Sequence, residues 1–217
     1  MQIIWYGQSC FQLIFSRRKE EKITFVIDPF STEIGLRLPK IEADVLLVTH
    51  SHNDHSNVKG IPGDHFLING PGEYEIKGIF IQGIECFHDE FQGKERGKTT
   101  TFIIEGDEMK LCHLGDFGQK ELTPDQLEKI GNVDILMIPV GGVYTISAQE
   151  ASRVISQIEP KIVIPMHYYI SNLKIKLDNL DKFLKVMGVK STEVLNKLII
   201  KKGDLSEDGM QIKVLNP

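Results

Sequence analysis

Seven residues, Thr49-His50-Ser51-His52-Asn53-Asp54-His55, constrain this chain more than anything else in it. They set four metal-binding side chains in the spacing H-x-H-x-D-H, and imidazole and carboxylate are the donors that zinc and similar divalent ions accept. Residues two apart in extended chain point to one side, so His50 and His52 aim together. Asp54 and His55 follow and can swing toward a second point, which lets one short segment serve two ions. The stretch before the cluster, Asp44 to Thr49, is a short apolar run rich in β-branched residues and reads as a buried strand. The donors therefore sit past a strand's carboxyl end, where layered α/β folds gather ligands. The competing reading is a polar surface loop, but a chain with 7 histidines in all rarely sets three of them here by accident.

A two-ion site needs more donors, and three more fall just beyond other hydrophobic strands. His88 follows Ile84-Glu85-Cys86-Phe87, Asp116 ends His113-Leu114-Gly115-Asp116, and His167 follows Ile162-Val163-Ile164-Pro165-Met166. Taken singly, a histidine near a strand end is an ordinary hydrogen-bonded residue and Gly-Asp an ordinary turn. Together with the first cluster they describe donors assembled along one edge of a sheet.

The surrounding pattern says what carries them. Ile3 to Tyr6, Phe11 to Phe15, Ile23 to Ile27, Phe66 to Ile68, Tyr74 to Lys77, Ile79 to Ile81 and Ile84 to Phe87 are strand-like, separated by turn or bulge residues such as Gly70, Gly78 and Gly83. Thr100 to Glu105 and Met109 to Leu114 form a hairpin. Strands then alternate with helices: Thr123 caps a helix with Pro124 at its first position, Ser147 and Glu150 form a capping box, and Asn179 to Met187 is a third helix. Asp134 to Pro139 and Lys161 to Pro165 are strands between them, and Leu198 to Lys201 and Met210 to Val214 can close the sheet. Strands first and alternation later fit an α+β fold, two sheets face to face with helices outside. At 217 residues one domain, 1–217, is expected.

Composition excludes several classes. A net charge of -5 gives no global drive toward nucleic acid or membrane. The mixed-sign run Arg17 to Lys22 reads as a solvated hairpin loop. Three cysteines, Cys10, Cys86 and Cys112, make neither a disulfide framework nor a thiolate zinc site and read as small core residues. No apolar run is long enough to span a bilayer, and the first residues lack the features of a signal peptide, so a cytoplasmic setting is expected.

These motifs resemble the metallo-β-lactamase superfamily. The resemblance rests on H-x-H-x-D-H with the later His88, Asp116 and His167 in order, and it covers nearly the whole chain. The segments Trp5-Tyr6-Gly7-Gln8-Ser9, Ile27-Asp28-Pro29, His113 to Asp116 and Pro165-Met166-His167-Tyr168 are similar to a branch of small metal-dependent hydrolases related to the ascorbate-6-phosphate lactonases. The resemblance implies a four-layer αββα sandwich. It implies two divalent ions, zinc first with manganese or iron as alternatives. His50, His52 and His88 would hold one, Asp54, His55 and His167 the other, and Asp116 would bridge them. Asp28 would act behind the ligands by accepting a hydrogen bond from an imidazole. Gln8 departs from the pattern, since many relatives carry histidine there; His65 and His113 have no place in the ligand set and are expected at the surface and in the packing.

The implied activity is hydrolysis of a phosphoester, lactone or related ester of a small-molecule substrate, with a hydroxide shared by the two ions as nucleophile. Asp116 and Asp54 would be the catalytic carboxylates, Asp54 carrying the leaving-group proton. Other readings are a nuclease or phosphodiesterase on nucleic acid and a di-iron redox protein. The turn Gly141-Gly142-Val143-Tyr144-Thr145 before a helix start is expected to cradle an anionic part of the substrate, with Tyr144 and Tyr168 lining the pocket; its alternative is an ordinary strand-to-helix turn.

Overall fold

Short β-branched and aromatic runs, broken by Gly, Asp and Pro, fold into two sheets packed face to face. The computed structural model describes residues 1–16, 21–206 and 209–217. The first sheet takes β1 (Gln2–Trp5), β2 (Phe11–Ser16), β3 (Lys22–Ile27), β4 (Val45–Leu47) and β5 (Phe66–Ile68) in chain order. The second takes β6 (Gly72–Ile76), β7 (Ile79–Phe87), β8 (Lys98–Gly106), β9 (Met109–His113), β10 (Ile135–Pro139) and β11 (Ile162–Met166). Four short strands finish the chain. Of these, β12 (Val194–Leu195) pairs with β15 (Val214–Leu215), β13 (Leu198–Ile199) joins the first sheet beside β1, and β14 (Gln211–Ile212) joins the second beside β11. Ser16 stands opposite Lys22 across β2 and β3, while Arg17 to Glu20 of the expected hairpin loop lie outside the described residues.

Both sheets begin antiparallel and end parallel. β3, β4 and β5 run parallel, as do β9, β10, β11 and β14. β7, two antiparallel steps from β9, runs the same way. Parallel strands finish at the same side, so residues after β7, β9, β10 and β11 emerge along one edge.

Side-chain alternation divides the layers. Phe25 and Ile27 of β3 and Val45 and Leu47 of β4 face the core between the sheets, with Trp5, Phe11, Phe102 and Ile104, while Val26 and Leu46 face outward. Three helices belong to the second sheet's side: α1 (Pro124–Ile130) packs on β7, and α2 (Ala148–Ile158) on α1 and α3 (Leu180–Val186). The fold is the expected α+β sandwich. Over the first sheet, however, the covering layer is irregular chain: Phe30, Ile34, Ile41, Ile61, Leu173 and Leu177 pack on Val26 and Leu46, with 3-10 turns at Thr32–Ile34 and Val58–Gly60. Pro29, Gly35, Pro39, Gly60 and Pro62 interrupt that stretch too often for a helix.

One expected break is absent. β7 runs unbroken through Gly83, which pairs with Gly72. A Cβ there would lie 2.8 Å from the Gly70 carbonyl oxygen and 3.0 Å from Pro71 Cα, so glycine serves a close backbone crossing rather than a turn. The cysteines are all free and buried, and among the described residues no helix is long and apolar enough to cross a membrane.

Candidate metal centre

The seven proposed donors meet at the shared edge. His50 to His55 follow β4, His88 follows β7, Asp116 follows β9 and His167 follows β11. They fall into two groups, His50, His52 and His88, and Asp54, His55, Asp116 and His167, with the ligand atoms of each within 4.8 Å of one another. Asp116 joins the groups through one oxygen. Its Oδ2 lies 3.2 Å from His55 Nε2 and from His167 Nε2, 3.3 Å from His88 Nε2 and 3.9 Å from His50 Nε2. His50 Nε2 and His52 Nδ1 converge to 3.0 Å.

Behind the donors, Asp28 sets their orientation. Its Oδ1 accepts the Thr49 backbone N–H at 2.8 Å, and its Oδ2 accepts the Thr49 hydroxyl at 2.7 Å. The same Oδ2 is 2.9 Å from His55 Nδ1, so an ionised Asp28 requires that nitrogen to carry the proton. The Thr49 oxygen, its own hydrogen given to Asp28, is left to accept from His50 Nδ1 at 3.0 Å. One carboxylate thus fixes His55 directly and His50 through a hydroxyl, so that in the neutral rings Nε2 is the unprotonated nitrogen and points inward. Ser9 donates to Asp116 Oδ1 at 3.2 Å, and Gln8 Nε2 donates to Asp54 Oδ2 at 3.2 Å. Gln8, Asp28 and His167 all hold left-handed backbone, with φ of 50°, 49° and 51°. Such strain persists where surrounding bonds dictate it, and it gathers at functional sites. The Gln8 carbonyl supplies two of those bonds, accepting from Trp5 Nε1 at 2.9 Å and from the His167 N–H at 3.0 Å.

The donor chemistry fits a cation. His55 Nε2 is buried without a hydrogen-bond partner, yet faces Asp116 at 3.2 Å and Asp54 at 3.4 Å. A bare nitrogen lone pair against two carboxylates is repulsive unless positive charge lies between them. With no ion, a proton must take that place. Burial opposes charge on His55, but Asp116, Asp28 and Asp54 outweigh it and raise its pKa well above 6.5. Burial likewise opposes the Asp116 carboxylate, and the His167 and His55 imidazoles hold it well below the usual range all the same. His50, pushed down to about 2 by burial and then by His55, stays neutral, the form a metal needs.

Two substrate-side expectations are corrected. Tyr168 does not line the site: it is 5% exposed, belongs to the main core and packs on Trp5 with ring centroids 5.0 Å apart. The left-handed turn at His167 sends that imidazole to the edge and the next side chain inward. Gly141 and Gly142 do not form an anion cradle. A Cβ on Gly141 would lie 2.1 Å from the His167 carbonyl oxygen, so this glycine lets the two strand ends touch. The Gly142 N–H donates to the Ile146 carbonyl at 3.2 Å, and the Asp178 carboxylate stands 3.0 Å from where its Cβ would be. The start of α2 is closed by its own capping box, Ser147 with Glu150. Tyr144 does line a cavity of about 430 Å³ over Asp54, Asp116 and His167.

Sequence reasoning passed over Thr49, Ser9 and the contact of Gln8 with Asp54, although all three adjoin motifs already singled out. It also passed over Arg96, Lys174 and Lys176, which line the same cavity from loops that carry no periodic signal. His113 is fully buried behind the site, with Nε2 2.9 Å from the Ser9 carbonyl oxygen and Nδ1 accepting the Gly115 N–H. His65 is half-buried and belongs to neither donor group.

Comparison with known proteins agrees with this architecture. A family model described as a β-lactamase superfamily domain matches residues 2–167. A protein of Thermococcus onnurineus named a metal-dependent hydrolase is 28% identical over 237 aligned positions, covering 95% of this chain and 99% of the relative. Another of that name, from Thermoplasma volcanium, is 31% identical over 199 positions, covering 77% and 83%. The crystal structure of a candidate zinc-dependent hydrolase of the metallo-β-lactamase superfamily from Thermotoga maritima superposes with a TM-score of 0.76 at 35% identity, covering 99% of this chain and 97% of that one.

Proposed function

This chain belongs to the β-lactamase superfamily, and on that premise we propose that it is a hydrolase with a dinuclear metal centre that cleaves a phosphoester, lactone or related ester. The observation that carries the reading is the single Asp116 oxygen lying between 3.2 and 3.9 Å from imidazoles of both donor groups. His50, His52 and His88 would hold one ion, Asp54, His55 and His167 the other, and Asp116 both. Histidine and carboxylate together favour zinc. Bound there, the ions would supply Lewis acidity toward a carbonyl or phosphoryl oxygen and make water a nucleophile near neutral pH.

The chain's own residues do the rest. Asp28 and Thr49 keep the His55 and His50 tautomers in the donor form. Asp54 is half-buried, lines the cavity and receives a hydrogen bond from Gln8 on Oδ2. That position suits it to hand a proton to the leaving group, a role worth about 10²–10⁴ in rate. A cavity of about 430 Å³ suits a small-molecule substrate, and the three buried free thiols support a reducing, cytoplasmic setting.

The test is metal per chain in protein purified without added metal, read beside Asp54→Asn. Two zinc ions per chain are expected; if Asp54 is the weak ligand of its ion, held mainly by His55, His167 and Asp116, the variant should lose about 10²-fold or more in kcat while keeping its metal. Loss of metal and activity in step would remove the proton role. Failure to take up any metal after reconstitution would overturn the dinuclear reading.

A further inference from the structure

The cavity over the donors has a second set of walls. Besides the cluster it is lined by Arg96, Tyr144, Lys174, Ile175 and Lys176. In a chain of net charge -5, its only acidic lining among the described residues is Asp54 and Asp116, both turned to the imidazoles. Lys77, Lys98, Lys129 and Lys182 each pair with a carboxylate at 2.6–2.8 Å. Among the described residues the heads of Arg96, Lys174 and Lys176 pair with none.

The loops that carry these cations are anchored, although the Lys174 and Lys176 side chains are themselves exposed. The Asp89 carboxylate accepts four backbone N–H groups, from Phe91, Gly93, Glu95 and Arg96, at 2.8–3.0 Å. The loop is tied to the ligand beside it, since the His88 N–H donates to the Gly97 carbonyl at 3.0 Å. The Arg96 guanidinium then lies over the Tyr144 ring, 4.8 Å from its centroid. The opposite loop is anchored by Leu173 and Leu177, both buried in the outer core, and by the Lys174 N–H donating to the Ile34 carbonyl at 2.8 Å.

We propose that the substrate carries a second anionic group, a carboxylate or phosphate remote from the bond that is cleaved, and that Arg96, Lys174 and Lys176 bind it. The proposal rests on the hydrolase reading above. The metal donors engage the reacting group, so these three cations select a different part of the molecule. A guanidinium fork and two ammonium groups in a cleft match the oxygens of such an anion, and a cavity of about 430 Å³ admits a small molecule.

The test compares p-nitrophenyl hydrogen glutarate, p-nitrophenyl phosphonobutyrate and uncharged p-nitrophenyl pentanoate on zinc-loaded protein. Wild type should show a KM for the charged esters about tenfold below that for the pentanoate, the factor one charge-assisted hydrogen bond is worth. Arg96→Gln should raise the charged-ester KM about tenfold, and the K174Q/K176Q double variant should erode the preference further. Phosphonate preferred over carboxylate would identify a phosphate anchor, and the reverse a carboxylate; either supports the proposal. Equal preference in wild type and variants, or none in wild type, would overturn it while leaving the hydrolase intact. Should no ester turn over, carboxylic-ester cleavage is excluded while phosphoester cleavage stands, and calorimetric titration with glutarate decides the anion site on its own. A tenfold weaker Kd in Arg96→Gln would support the anion site, and an unchanged Kd would sink it.

Discussion

The floor of the cavity and its rim are built by different means. The floor donors follow strand ends, most are buried, and hydrogen bonds with Asp28, Thr49, Ser9 and Gln8 fix them. The rim cations stand on loops, exposed or half-exposed, and among the described residues their side chains share no hydrogen bond with the donors. The difference teaches how one scaffold separates tasks: strand ends and the hydrogen bonds behind them fix the donors, and loops supply the surface that a substrate meets.

The sharpest way to break that contrast is Asp116→Asn. A carboxamide cannot neutralise two cations, so metal per chain should fall and kcat/KM drop by about 10³ or more. Arg96→Gln is expected to cost about tenfold. Equal losses would mean the rim is part of the chemistry.

Metal removal sharpens the contrast through pH. In stripped protein the His55 pKa is raised above 6.5, so its stabilising contribution is full below about pH 6.5 and disappears as pH rises through the raised value. Tm of stripped protein should therefore fall on going alkaline, while loaded protein holds, its ions standing where the proton stood. On acidification the loaded protein loses its ions as protons compete for the imidazoles. The depressed carboxyl of Asp116 acts the other way: its contribution is present above 3.8 and lost as pH falls through its lowered pKa. A stripped protein that grows more stable above pH 6.5 would contradict this balance.

Smaller effects follow away from the donors. Gly141→Ala drives a methyl group into the His167 carbonyl, at 2.1 Å, and should cost about 1–3 kcal/mol of stability in denaturant titration. Tyr168→Phe should change kcat/KM less than about twofold, because that side chain lies in the core. A tenfold loss there would return Tyr168 to the cavity.

What could be foreseen divides along the same line. That the seven donors would meet was readable because each follows a hydrophobic strand and strand ends share an edge. The α+β sandwich was readable from periodicity and capping residues. For Gly141, where the anion cradle fails and the alternative strand-to-helix turn stands, and for Gly83, local chemistry cannot distinguish a turn from a close approach; the atoms that require glycine, the His167 carbonyl and Pro71 Cα, arrive from elsewhere in the chain. Tyr168 was misplaced because the positive φ at His167 breaks the alternation of β11. Arg96, Lys174 and Lys176 gave no signal at all, since loop positions have no period and their meaning depends on which cavity they border.

The Asp89 knot has an evolutionary consequence. Its amide bonds close within the segment 89–97 and borrow nothing from either sheet. Between His88 and Lys98, then, the chain holds a loop closed by its own carboxylate and joined to the rest of the molecule by a few contacts: the His88 N–H on the Gly97 carbonyl, Glu90 with Lys120, and Arg96 over Tyr144. Another segment with the same closure could be exchanged for it and bring a different side chain to the place of Arg96.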